Sequence, residues 1–362
     1  MLSRGQCVWR LCQVESFNMK VDRPIQDVAE LEEILSVPPD NVTAMFGRLR
    51  GDVLVLGVAG KMGPTLARMA QRAMAESGND GRVIGVSRFS NPAEREKLEG
   101  WGIKTLAGDL MDTSFVDALP QAPQVIFMAG MKFGATGNES ATWAMNTLLP
   151  ANVCRRYSDS RIAAFSTGNV YGLVPLSSGG SCETDEPNPR GEYAMSCLGR
   201  ERSFEHFSHT CGLKVSLLRL NYACELRYGV LVDLATKIQQ GEPIDLLMPM
   251  ANVIWQRDAN AIALLSLEYA SSPPFVLNLA GPEQMSIRRV CERLAARLDR
   301  PVRFIGQEAN EAILSNGQKG HRLFGYPTLG LDELTDRVAD WIKAGGSLLG
   351  KRTKFEVRDG KF

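Results

Sequence analysis

The chain has 362 residues, 44% of them hydrophobic and 23% charged, with Lys plus Arg and Asp plus Glu equal at 41 each. That length exceeds one small core, so a large domain with a satellite, or two domains, is expected. Balanced charge leaves no basic stripe for a nucleic-acid backbone or an anionic membrane, and a small-molecule substrate is the partner that remains, with a homodimer as the only assembly considered.

Eight cysteines (7, 12, 154, 182, 197, 211, 224 and 291) stand without a CxxC pair beside three histidines, which argues against a zinc site or a disulfide framework, so no metal is expected. No apolar run approaches the ~18 residues of a membrane span, and arginines interrupt the start MLSRGQCVWRLCQ where a signal peptide needs an apolar core. A reducing cytoplasm is the expected location.

In chain order, residues 1–18 show no periodicity and fit a disordered or mis-assigned leader, with Met19 an alternative start. In DVAELEEILSVPP the spacing of Val28, Leu31 and Leu35 predicts a short helix stopped by Pro38 and Pro39, the main element of a 1–48 extension. From residue 52 short apolar runs take over: 52–58, 82–87, 124–130, 161–167, 215–221 and 275–281, with helix-like segments between them. Runs this apolar suit a parallel sheet covered on both faces, and their alternation with helices predicts a Rossmann-like doubly wound α/β fold.

Residues 49–222 and 252–282 are expected to build this dinucleotide-binding domain. Residues 223–251 and 283–345, including the helix IRRVCERLAARL closed by Asp299 and Pro301, are expected to form a small substrate lobe over the carboxyl edge of the sheet. The polar end, 346–362, reads as a tail or arm.

The run DVLVLGVAGKMGPTLARMA sets Gly57, Gly60 and Gly63 after the first strand and at the head of a helix. In that context the glycines permit a tight turn, a close approach of pyrophosphate and helix-on-strand packing, while the helix N-terminus offers amide donors. Lys61 and Met62 lie inside the turn, and Ala129 ends a later strand; all three are counted as cofactor contacts. At the end of the second strand, where an acid would favour NAD, stand Ser87 and Arg88, a hydroxyl and a guanidinium that favour the 2′-phosphate of NADP. In GDLMD, Asp109 is a candidate for the adenine amine, or a helix cap, and Leu110 follows it.

Taken together, GVAGKMG (57–63), GDL (108–110), FSTGNVYG (165–172), ETDEPNPRGEY (183–193), LRLN (218–221), QRDAN (256–260) and LNLAG (277–281) resemble the extended short-chain dehydrogenase/reductase family, in its NAD-dependent epimerase/dehydratase group, over about residues 50–345. The resemblance implies that Thr167 is the catalytic hydroxyl and Tyr193 the catalytic tyrosine, which also borders the cofactor. The chemistry is intelligible on its own terms: a phenolate takes the proton of a substrate hydroxyl as hydride leaves the same carbon, and a neighbouring hydroxyl holds the oxygen.

Two departures stand out. The family pattern is YxxxK, and here Cys197 stands where the lysine would depress the tyrosine pKa, so a substitute cation such as Lys132 or Arg200 is required. Dehydratases of the group carry Asp-Glu after the catalytic threonine, whereas Gly168 and Asn169 follow Thr167, which disfavours elimination of water. The short stretch between Asn221 and Gln256 further suggests a compact substrate. The reading is an NAD(P)-dependent oxidoreductase or epimerase acting at a carbinol carbon of a sugar, sugar acid or nucleotide sugar. Its alternative is a catalytically impaired NAD(P)-binding sensor or scaffold.

Overall fold

A computed structural model describes residues 23–132, 134 and 136–361. The leader 1–18 and Met19 lie outside them. Seven strands form one sheet: β1 (Val53–Leu56), β2 (Val83–Ser87), β3 (Lys104–Ala107), β4 (Gln124–Phe127), β5 (Arg161–Thr167), β6 (Lys214–Leu220) and β7 (Phe275–Leu279). Their order is β7-β6-β5-β4-β1-β2-β3 and every neighbouring pair is parallel. The chain reverses its direction of winding between β1 and β4, the place where open α/β sheets leave a crevice at the carboxyl ends of their strands.

The helices, in order, are α1 (Val28–Leu35), α2 (Asp40–Arg48), α3 (Gly63–Glu76), α4 (Pro92–Gly100), α5 (Thr113–Ala118), α6 (Glu139–Trp143), α7 (Leu149–Arg156), α8 (Gly191–Cys211), α9 (Val230–Gln239), α10 (Gln256–Leu265), α11 (Ile287–Leu298), α12 (Gln318–Phe324) and α13 (Leu331–Lys343). Successive residues of β1 feed opposite faces, which is why the strand is apolar throughout. Val53 and Val55 pack with Phe46 of α2, Leu66 of α3 and Ile262 of α10. Leu54 and Leu56 pack with Val116 of α5, Val153 of α7 and Phe204 of α8. This is the Rossmann-like doubly wound sheet read from the sequence.

A second core joins α9, α11 and α13 over the carboxyl edge, and Leu31 and Leu35 of α1 belong to it. The 1–48 extension is therefore divided between the two cores, α1 in the lobe and α2 against the sheet. Pro39 does more than stop α1. Its extended backbone is the N-cap of α2, a helix the sequence reading did not foresee. The expected terminal arm is corrected as well: Thr353 donates its N–H and hydroxyl to Asp233 at 2.7 and 2.6 Å, and Phe355 is buried in the lobe core. The apolar Phe355 and the buried carboxylate hold the tail down as a strap. Among the described residues no helix is long and apolar enough to cross a membrane.

Candidate active site

The glycine turn follows from sterics. Gly57 has φ +87°, and a Cβ there would lie 2.8 Å from the Ala129 nitrogen, because the ends of β1 and β4 meet at this point. A Cβ on Gly63 would lie 2.1 Å from the Val58 carbonyl oxygen, so only glycine lets α3 begin this close to β1. Gly60 differs: the nearest atom to its Cβ position is the Gly57 oxygen at 3.3 Å, and the space beyond opens into the cavity. The first-turn amides of α3 have no partner within the helix and carry the positive end of its dipole. This cradle fits a dinucleotide pyrophosphate.

A cavity of about 590 Å³ lies at the crevice, bordered by Gly57, Gly60, Lys61, Met62, Gly63, Thr167 and Tyr193. These expected site residues are brought together. Ala129 packs against Gly57 in the core and does not border the cavity. Ser87, Arg88, Asp109 and Leu110 do not border the cavity. They sit at the carboxyl ends of β2 and β3, where Arg88 is exposed, Leu110 packs into the core and the Asp109 carboxylate accepts the Met111 N–H at 2.9 Å. Asp109 thus caps its own turn.

Thr167 ends β5 and caps the single 3₁₀ turn Gly168–Tyr171, its hydroxyl accepting from the Asn169 N–H at 3.2 Å and from Asn169 Nδ2 at 2.9 Å. Tyr193 stands in the first turn of α8, half-buried, and borders the cavity together with Thr167. Burial pushes the Tyr193 phenol well above its ordinary range and the Cys197 sulfur adds to this, while the Arg200 charge and the Thr167 hydroxyl work against it. Cys197 is fully buried one turn below, its thiol pushed up by burial.

Cations crowd the opposite wall. Lys132 Nζ lies 5.7 Å from the Tyr193 ring centre and 5.8 Å from that of Tyr222, and donates to the Thr353 carbonyl at 3.2 Å. Burial pulls it down to about 8, against the charges of Cys197 and Asp233. Lys61 Nζ sits 3.4 Å above the Tyr228 ring and is pulled down to about 7, first by burial and then by Lys132 and Lys351. Lys351 and Thr353 of the strap border the same cavity. Of the two carboxylates on its lining, Glu32 and Glu94, the first is bound by Arg227 and Lys97 at 3.0 Å each.

Asn146 was missed by the sequence reading. It lies in a π-helical turn, Ala144–Leu148, between α6 and α7, and its amide nitrogen donates to the Met131 carbonyl at 3.1 Å and to Ser196 Oγ at 2.9 Å. Its amide oxygen accepts from the Met131 N–H and from Arg200. One side chain therefore ties the end of β4 to α8. The available signal was a lone amide within the apolar run WAMNTLL. Tyr171, by contrast, is structural, bonded to Asn278 and Arg219, while Arg219 pairs with the buried Glu201 at 2.8 Å.

The model of the NAD dependent epimerase/dehydratase family matches residues 53–252. A search of curated proteins finds no match. Among solved structures, the dTDP-glucose 4,6-dehydratase DesIV of Streptomyces venezuelae aligns with TM-score 0.68 and 18% identity, over 81% of this chain and 97% of its own. UDP-glucose 4-epimerase of Thermotoga maritima aligns at 0.67 and 17%, over 81% of this chain and 99% of its own. UDP-glucuronic acid 4-epimerase of Bacillus cereus aligns at 0.66 and 17%, over 81% and 99%. At this identity the three share the fold, whereas the family match spans more than half of the sequence and carries the assignment: the chain belongs to the NAD dependent epimerase/dehydratase family.

Proposed function

We propose that the protein is an NAD(P)-dependent oxidoreductase or epimerase acting at a carbinol carbon of a carbohydrate-like substrate, with Tyr193 as the acid/base and Thr167 orienting the substrate oxygen. The observation that carries this reading is that Thr167 and Tyr193 border the same cavity as the glycine turn. A bound nicotinamide supplies hydride transfer. Tyr193 holds or removes the hydroxyl proton, Thr167 fixes the oxygen, and the turn 57–63 grips the pyrophosphate. Elimination of water remains disfavoured, since Gly168 and Asn169 bring no carboxylate beside Thr167. The sensor reading rests on Cys197 alone, and the retained pair counts against it.

Lys61, Lys132 and Lys351 around the cavity favour a substrate with an anionic group, a sugar acid or a nucleotide sugar. The Bacillus cereus neighbour was solved with a UDP-linked fluoro-glucuronic acid and NAD. The strap, which narrows the lobe side, supports the smaller of these. Incubation of the protein and dinucleotide with UDP-glucuronic acid, UDP-glucose, glucuronic acid and glucose, followed by nicotinamide absorbance and product chromatography, tests the reading. Turnover of the anionic members, UDP-glucose included, above glucose is expected, and no turnover of any member while dinucleotide binds tightly would replace the enzyme with the sensor.

We assign NADP over NAD from Ser87 and Arg88, the exposed guanidinium being free to grip a 2′-phosphate with paired charge-assisted bonds. Arg88→Ala is expected to weaken NADP about tenfold or more, as loss of a charged hydrogen bond does, and NAD little. Calorimetric titration with both dinucleotides decides it, and equal losses would reduce Arg88 to a surface residue.

A further inference from the structure

Cys197 cannot lend Tyr193 a positive charge, and the sequence left Lys132 and Arg200 as candidates. We propose that Arg200 is the positioning residue that supplies the fixed positive charge stabilising the Tyr193 phenolate, in place of a lysine at 197. This rests on the assignment of Tyr193 as the acid/base.

Arg200 lies seven residues beyond Tyr193 on α8, two turns along and on the same face. Its side chain is 6% exposed and turns inward to the ends of β4 and β5. Nη1 donates to the Phe165 carbonyl at 2.8 Å, two residues before Thr167, and Nη2 donates to Asn146 Oδ1. A Cβ on Gly130 would lie 2.1 Å from Nη2, so the glycine just past β4 is what admits the guanidinium to the rim of the cavity, which both residues border.

Every acceptor Arg200 uses is neutral. Among the described residues no carboxylate lies within ion-pair distance, and its neighbour Glu201 is committed to Arg219 and Ser166. Its Nε has no hydrogen-bond partner. Burying a cation without a counter-charge is costly, and arginine cannot shed its proton to escape the cost. The fold thus maintains an uncompensated charge at the rim of the cavity that the Tyr193 phenol also borders, where it favours the anion that burial disfavours.

The groups acting on the Tyr193 hydroxyl are Thr167 from β5 and Cys197 and Arg200 from its own helix, while Lys132 from the loop after β4 lies over its ring, with Asp233 and Lys354 acting on Lys132 in turn. Lys132 is the rival cation. Burial pulls its pKa down to about 8, which makes it a weaker fixed charge than a guanidinium.

The test is the ionisation of a difluorotyrosine installed at 193 in the full chain, followed by fluorine NMR without substrate. Arg200→Gln keeps hydrogen-bonding capacity and removes the charge; the midpoint is expected to rise by roughly one pH unit, tenfold less phenolate at a given pH. Arg200→Lys should retain most of the parent value, and adding Cys197→Lys to Arg200→Gln should bring the midpoint back down, a rescue that a merely structural arginine would not allow. If Arg200→Gln does not fold, Gly130→Ala, which displaces the guanidinium, should raise the midpoint in its stead. An unchanged midpoint in a folded Arg200→Gln or Gly130→Ala variant, or a larger rise in Lys132→Met, overturns the proposal. Failure of the Tyr193 assignment would show separately, as an active Tyr193→Phe protein.

Discussion

Tyr193→Phe is expected to lower turnover by about a hundredfold to ten-thousandfold, the contribution of a positioned acid/base, while leaving dinucleotide affinity within a factor of a few. Tyr193 borders the cavity together with Thr167, so removing its oxygen takes away the proton acceptor and little of the apolar ring contact. The pH dependence follows from the direction of the shift. A phenol titrates at ~10 in water, and burial raises Tyr193 above that, so its base form is a minor species at neutral pH. Oxidation should therefore climb with pH, by up to tenfold per unit while Tyr193 remains mostly protonated, and reduction, which needs the protonated phenol, should not. Initial rates in both directions across alkaline pH check this. A flat oxidation profile together with an active Tyr193→Phe protein would remove Tyr193 from the chemistry.

The second large effect separates two glycines three residues apart. Gly60→Val should abolish dinucleotide binding with the fold largely kept, because its side chain meets only the Gly57 oxygen at 3.3 Å and otherwise projects into the space the pyrophosphate needs. Gly63→Ala should do the reverse in origin. Its Cβ would lie 2.1 Å from the Val58 carbonyl oxygen, so α3 must move off β1 and the cost appears as stability, about 1–3 kcal/mol by analogy with overpacked cores. Thermal melts and cofactor titrations on both variants distinguish the two. A destabilised Gly60→Val protein, or one with parental affinity, would contradict the cradle.

The sequence by itself determined the sheet, because strands buried on both faces must be apolar at every position, and β1 with Val53–Leu56 wholly buried has no other reading. It also placed the glycine turn, which follows a strand and opens a helix, while the Thr167–Tyr193 pair followed from the family resemblance. Contacts between distant segments stayed invisible. α1 and α2 were split between two cores by which apolar faces they found, the polar tail was fastened by Asp233 and Phe355, and Asn146 joined β4 to α8 through a π-helical turn. Only the tertiary structure could show how differently Lys132 and Arg200 are held. Side-chain direction and counter-charge depend on what packs beside α8: Gly130 makes room for the Arg200 guanidinium, and Glu201 is bound to Arg219.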